Sequence, residues 1–201
     1  MSIRVCPCQW KFKRIHLKII PLRSNDLQKK ASLMNDDLPA LPFLRVGIGH
    51  DTHRLKNGGP LRIGGVDVPF DKSLDGHSDA DVLLHAVTDA ILGAAAMGDI
   101  GELFPDTDTD NKNRDSADML LAAMQKVAAA GFQIANLDCI VFAQAPKLSP
   151  YKRPIAQRIA EILQIAPGQV GVKAKTGEGV GPVGNSEIMQ AQCIALLMQV
   201  R

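Results

Sequence analysis

Aromatic side chains make up only 4% of this 201-residue chain, with one Trp and one Tyr. A core must therefore be assembled from Ala, Val, Ile and Leu, and a hydrophobic content of 46% is enough for one sizeable domain, at most with an appendage. Cysteine is scarce too. Cys6 and Cys8 lie too close together for a usual disulfide or zinc knuckle, and Cys139 and Cys193 sit in apolar, strand-like runs as small core residues. A disulfide-framed scaffold is therefore not expected, and a reducing compartment is. No apolar run reaches membrane-spanning length, no signal-peptide core is visible, and no internal repeat or low-complexity tract is present. The net charge of +2 carries no nucleic-acid footprint.

The positive balance is local. Residues 1–43 hold eight Lys/Arg against three Asp/Glu, so the rest of the chain is net acidic. The same segment lacks sustained periodicity, and Asn35-Asp-Asp-Leu-Pro-Ala-Leu-Pro is linker chemistry. The expectation is a basic, flexible extension over 1–43 and a folded domain over 44–201. The extension is basic like a transit peptide but poor in serine. The expected location is the cytoplasm, with a plastid the alternative if the extension is a transit peptide.

Histidine is also rare, at five residues, yet His50, His53, His77 and His85 fall within 36 positions. Asp51 and His53 follow Arg45-Val-Gly-Ile-Gly49, which reads as a short strand. Residues i and i+2 on a strand share a face, so a carboxylate and an imidazole stand side by side. His85 lies in an apolar run with helical spacing, and Asp81, His85 and Asp89 share one helix face. Asp51, His53 and His85 supply one oxygen and two nitrogens with a fourth position open, the donor set of catalytic zinc. Asp81 or Asp89 would orient His85 from behind. Taken singly, each ligand also reads as a strand cap or a satisfied core histidine; the combination favours a metal site.

The remaining pattern is layered. Leu61 to Pro69 carries Gly64-Gly65 between two β-rich runs, a hairpin signal. The spacing predicts helices over 79–97 with Ser78 or Asp79 as N-cap, over 117–130 with an apolar stripe of Leu120, Leu121, Met124, Val127 and Ala128, and over 151–163. Strands are predicted over 134–143, 170–175 and 188–200. The fold class is α/β in an α+β layered form, a mixed sheet of about four main strands plus a small hairpin, packed against helices.

Several loops carry chemistry suited to phosphate. Lys173, Lys175 and Thr176 end a strand beside a glycine-rich turn whose N–H groups can cradle an anion. Glu178 in that turn is suited to a hard cation such as Mg²⁺. The turn is not a P-loop, since no Gly-Lys-Ser/Thr follows four variable residues. His77 and Ser78 precede a helix N-terminus, which favours an anion. Phe104-Pro-Asp106-Thr-Asp108 can bind polyol hydroxyls, and Ala143-Gln-Ala-Pro-Lys147 can line a base pocket. Solvated turns are the plainer reading of each.

At these residues the chain resembles the 2-C-methyl-D-erythritol 2,4-cyclodiphosphate synthases. The likeness is carried in register by Arg45 to Arg54, His77 to Ala90, Gly98-Asp-Ile-Gly101, Phe104 to Asp108 and Ala143 to Lys147, and it runs from Leu44 to the C-terminus. It implies cyclisation of 4-diphosphocytidyl-2-C-methyl-D-erythritol 2-phosphate with release of CMP, in the non-mevalonate isoprenoid pathway. It also implies zinc on Asp51, His53 and His85, and Mg²⁺ or Mn²⁺ on Glu178. Carried over by position, His77 and Thr176 stabilise the transition state and His77 and Ser78 hold the methylerythritol. Asp51, Thr52, His53, Asp99, Ile100, Gly101, Phe104, Pro105, Asp106, Thr107 and Asp108 contact substrate. Ala143, Gln144, Ala145, Pro146, Lys147, Leu148 and Ser149 form the cytidine pocket, and Lys175, Thr176, Gly177 and Glu178 lie on the phosphate side. A homotrimer is implied, with active sites between neighbouring subunits.

The likeness thins in one loop. Many relatives carry a Phe and an Arg where this chain has Pro182 and Asn185, which weakens an axial anion site, while Glu187 fits; Gly177 and Gly179 replace bulkier residues. Two alternatives from other classes are a catalytically silent, metal-stabilised trimeric binding protein and a zinc phosphoester hydrolase.

Overall fold

A computed structural model describes residues 43–76, 78–105, 107, 111 and 114–200. The predicted extension lies outside the described residues apart from Phe43, as do Cys6, Cys8, His77, Asp106 and Asp108.

The elements run β1 (Leu44–Asn57), β2 (Leu61–Ile63), β3 (Val66–Val68), β4 (Lys72–Asp75), α1 (Val82–Ala95), α2 (Ile100–Leu103), α3 (Ser116–Ala129), β5 (Phe132–Phe142), α4 (Lys152–Leu163), β6 (Val170–Lys175), α5 (Gly181–Gly184) and β7 (Ile188–Gln199). Five strands form one mixed sheet in the order β4-β1-β7-β5-β6, and β2-β3 is a separate hairpin. Only β5 and β6 pair parallel. Gly64 and Gly65, at φ +62° and +72°, supply the two positive φ angles of the hairpin turn.

β1 is longer than the short strand expected at 45–49. It pairs with β7 from Leu44 to Arg54 and with β4 from Arg54 to Asn57. Its two faces differ sharply. Gly47, Gly49, Asp51 and His53 face the helix layer, while Leu44, Val46, Ile48, His50 and Thr52 face away. A Cβ on Gly47 would strike the carbonyl oxygen of Ala90, and one on Gly49 that of Ala86. The two glycines therefore let α1 lie directly on β1.

α1 is the central helix. Leu83, Leu84, Ile91 and Leu92 are fully buried, each contributing about 1.5–3 kcal/mol of transfer free energy. The helix packs on β1 and β7, α3 packs beside it, and α4 covers β6. The N-cap of α1 is Asp81, not Ser78 or Asp79. In α3 the buried line is Met119, Leu120, Ala123 and Val127, and Ala128 is exposed, so the stripe is rotated from the expected one. No helix among the described residues is long and apolar enough to cross a membrane.

Candidate metal centre and substrate cleft

The sheet and α1 bring Asp51, His53 and His85 together. Asp51 Oδ2 lies 3.0 Å from His53 Nε2 and 2.9 Å from His85 Nδ1, and the two nitrogens are 3.2 Å apart. Hydrogen bonds behind the rings decide which nitrogens carry protons. His53 Nδ1 is 2.7 Å from the Asp75 carbonyl, which can only accept, so Nδ1 is the donor and Nε2 is left as a lone pair. His85 Nε2 faces the hydroxyls of Ser116 at 2.9 Å and Ser78 at 3.2 Å, leaving Nδ1 toward Asp51. A carboxylate oxygen, the His53 Nε2 lone pair and His85 Nδ1 converge on one point. Acceptors at this spacing need a cation between them, so the donor set fits a divalent metal.

The electrostatics agree. Burial alone would raise the Asp51 carboxyl, but positive charge on the facing His53 and His85 imidazoles, at the point a cation would occupy, outweighs it and holds that group far below the usual carboxylate range. Burial opposes protonation of His53, yet the hydrogen bond to Asp51 and its charge raise the imidazole above its ordinary value.

Asp81 and Asp89 do not orient His85, contrary to expectation. Asp81 is fully buried and accepts from Gly64 N at 2.8 Å, Gly65 N at 2.6 Å, and Leu83 N and Leu84 N at 3.1 Å each. It clamps the hairpin turn to the start of α1. Asp89 accepts from Ile100 N at 2.8 Å and so ties α1 to α2. The residue behind His85 is Ser116, at the start of α3. It lies 31 positions away, and no local pattern marks it.

A cleft of about 490 Å³ opens above the triad, with Ser78, Ile100, Gly101 and Phe104 in its walls. Asp99 caps α2 by accepting from Glu102 N at 2.8 Å. Phe104 is buried, with the Arg114 guanidinium 4.7 Å over its ring. Asn111 Nδ2 donates to the Pro105 carbonyl at 3.0 Å.

The other predicted residues gather at the same end of the sheet but outside this cleft. Thr52, Gln190, Phe142 and Lys175 form one row across β1, β7, β5 and β6. Three strand spacings separate its ends, about 14 Å. Ala143 N donates to the Lys175 carbonyl, Gln144 accepts from Gly179 N at 3.4 Å, and the Ala145–Pro146 bond is cis. Lys147 and Ser149 are exposed, whereas Leu148 is buried. Thr176 Oγ1 donates to Glu178 Oε1 at 2.8 Å, and Glu178 sits at φ +52°. Gly177 and Gly184 abut so closely that a Cβ on Gly177 would strike the Gly184 backbone, which gives the small residues in this loop a packing reason.

The fold and the site define a class, a layered α/β protein with an Asp-His-His cluster that can hold a divalent metal at the rim of its sheet. Residues 44–198 match the YgbB family, and the chain belongs to that family. It is 48% identical over 158 residues to the 2-C-methyl-D-erythritol 2,4-cyclodiphosphate synthase of Gemmatimonas aurantiaca, covering 79% of this chain and 95% of that protein. The synthase of Laribacter hongkongensis is 53% identical over 154 residues, covering 77% and 95%. Among solved structures, a synthase with CDP bound superposes with a TM-score of 0.71 at 35% identity, covering 76% of this chain and 99% of the other.

Proposed function

We propose that the chain converts 4-diphosphocytidyl-2-C-methyl-D-erythritol 2-phosphate to 2-C-methyl-D-erythritol 2,4-cyclodiphosphate and CMP. The reaction belongs to the non-mevalonate isoprenoid pathway, and the chain is a phosphorus–oxygen lyase. The observation that carries this reading is the convergence of Asp51, His53 and His85 on one cation position at the cleft floor, in a chain of this family.

An oxygen of the substrate's 2-phosphate attacks the β-phosphorus. A new P–O bond closes the ring, and the P–O bond to CMP breaks. Both partners are on one molecule, so the protein must fold the substrate and offset its charge. Zinc held by Asp51, His53 and His85 would supply Lewis-acid stabilisation to the diphosphate. Glu178 would hold Mg²⁺ or Mn²⁺, with Thr176 beside it. Thr176 and His77 stabilise the transition state, His77 and Ser78 hold the methylerythritol, Asp99 to Gly101 and Phe104 to Asp108 contact the substrate, and Ala143 to Ser149 receive the cytidine. Catalysis belongs to residues 44–201, and residues 1–43 take no part.

The active unit is a homotrimer. Two observations support it. Leu44, Val46, Ile48 and Ile194 present an exposed apolar patch on the open sheet face, at 53%, 68%, 68% and 48% exposure. The cytidine-side residues also leave β5, two strand spacings or about 10 Å across the sheet from the strand that carries Asp51 and His53, so neighbouring chains bring complementary halves together.

Incubation of the metal-loaded protein with substrate, followed by ³¹P NMR, tests the reaction. The cyclic diphosphate and CMP are expected, and none from His85→Ala. A hydrolysed monoester would favour a zinc hydrolase, and no product from the loaded protein would favour a binding protein.

A further inference from the structure

We infer that Ser116, backed by Asp79, is a positioning residue that fixes the His85 imidazole with its proton on Nε2. This rests on the divalent-metal reading of the triad. Ser116 is fully buried. Its hydroxyl donates to Asp79 Oδ1 in a short contact, and Asp79 Oδ1 also accepts the Ser116 N–H at 3.3 Å. A hydroxyl has a single proton. With that proton directed at a carboxylate, Ser116 Oγ can only accept from His85 Nε2, 2.9 Å away. The imidazole is thereby held as the Nε2–H tautomer, and the Nδ1 lone pair is turned to the cation position.

Asp79 also faces a positive charge. Arg62 Nε stands 3.5 Å from Asp79 Oδ2, and Arg62 Nη2 stands 3.4 Å from Asp115 Oδ2 at the cap of α3. A line of contacts thus runs from the hairpin strand β2 through Asp79 and Ser116 to the ligand ring. Ser78 also lies within 3.2 Å of Nε2, but it faces the cleft. Ser78 Oγ accepts the Ala80 N–H at 3.1 Å, and with Ser116 taking the Nε2 proton the Ser78 hydroxyl proton is left to donate to a bound polyol. Partners behind a metal-bound histidine characteristically set its tautomer and basicity, and their loss weakens metal binding by about 10- to 100-fold.

The test uses metal-stripped full-length protein as wild type, Ser116→Ala and Asp79→Asn. Zinc affinity is measured against a competing chelator. The His85 tautomer is read in the metal-free protein by long-range ¹H–¹⁵N NMR in mildly alkaline buffer. The expected result is an Nε2–H signal in wild type, mixed tautomers in Ser116→Ala, a zinc affinity loss of about tenfold or more for that variant, and a smaller loss for Asp79→Asn. A merely structural Ser116 would lower the melting temperature and leave tautomer and affinity of the folded protein unchanged. Zinc affinities of both variants within twofold of wild type, or a proton on Nδ1 in wild type, overturn the inference. If Ser116→Ala does not fold, the wild-type tautomer and Asp79→Asn decide it. If the wild type itself fails to take up zinc, the metal reading falls and this inference falls with it.

Discussion

Replacing Gly49 with alanine tests how the metal centre is built, without touching a ligand. A Cβ at that position would lie 2.7 Å from Ala90 N and closer still to the Ala86 carbonyl oxygen. Both are backbone atoms of α1, so no side chain can swing aside. The helix must retreat from β1 by roughly 1 Å, at a cost of about 1–3 kcal/mol for overpacking. In a domain of this size that lowers Tm by about 2–4 °C per kcal/mol. His85 precedes Ala86 on the retreating helix, while Asp51 stays on the strand, so the 2.9 Å contact between them opens. Displacement of a catalytic group by about 1 Å can lower the rate about 10²-fold. Gly49→Ala should therefore lose both stability and zinc affinity, the latter by at least about tenfold. Gly47→Ala meets Ala90 and Ala94 instead, farther from the ligands. It should cost similar stability and less metal binding. Thermal melts and chelator competition read both quantities. A Gly49→Ala protein that melts and binds zinc like its parent would refute the argument, as would an equal loss of zinc affinity in Gly47→Ala.

Three further outcomes follow from the buried carboxylates and the triad. Asp81→Ala leaves backbone N–H groups of the hairpin turn and of α1 unpaired, and should destabilise the protein by about 3 kcal/mol in urea titrations. Burial pushes the Asp89 carboxyl upward, its ionised form being the costly one. Stability from this group is therefore greatest below the unfolded carboxylate pKa and falls as pH rises through the folded one. Asp89→Asn keeps an acceptor for Ile100 N, so at neutral pH it should melt at or above the parent temperature, and a clear loss in calorimetry would count against the assignment. His53 is raised above 6.5 in the metal-free protein, so a proton competes with the metal there. Zinc affinity by calorimetry should fall as pH is lowered through and below that raised value, and a flat profile from pH 8 to 6 would contradict it.

The grouping of Asp51, His53 and His85 was legible because each obeys a local rule. Asp51 and His53 are two apart on a strand, and His85 sits on an apolar helix with a visible period. The length of β1 was not legible. Its inward residues change from Gly47 and Gly49 to Asp51 and His53, so the hydrophobic pattern stops while the backbone ladder continues to Asn57. The short edge strand β4 has no apolar alternation of its own and exists through pairing with that continuation. Asp81 was placed on the His85 face by helical spacing, yet it stands at the cap, where backbone N–H groups outcompete a more distant imidazole. Ser116 was hidden because its contact with His85 depends on how α3 packs, which residue type and spacing do not encode. The roles assigned to His77, Asp106 and Asp108 lie outside the described residues.

The two faces of β1 have one more consequence. Side chains alternate strictly along a strand, so slipping β1 by one residue against β7 would exchange its faces. Val46 and Ile48 would then be driven into α1, where even a methyl group does not fit, and Asp51 and His53 would turn away from His85. A form mispaired by one residue can neither keep the helix seated nor bring the triad together. On the divalent-metal reading of the triad, metal uptake is thus also a readout of correct strand pairing, and a refolding reaction could be followed through it.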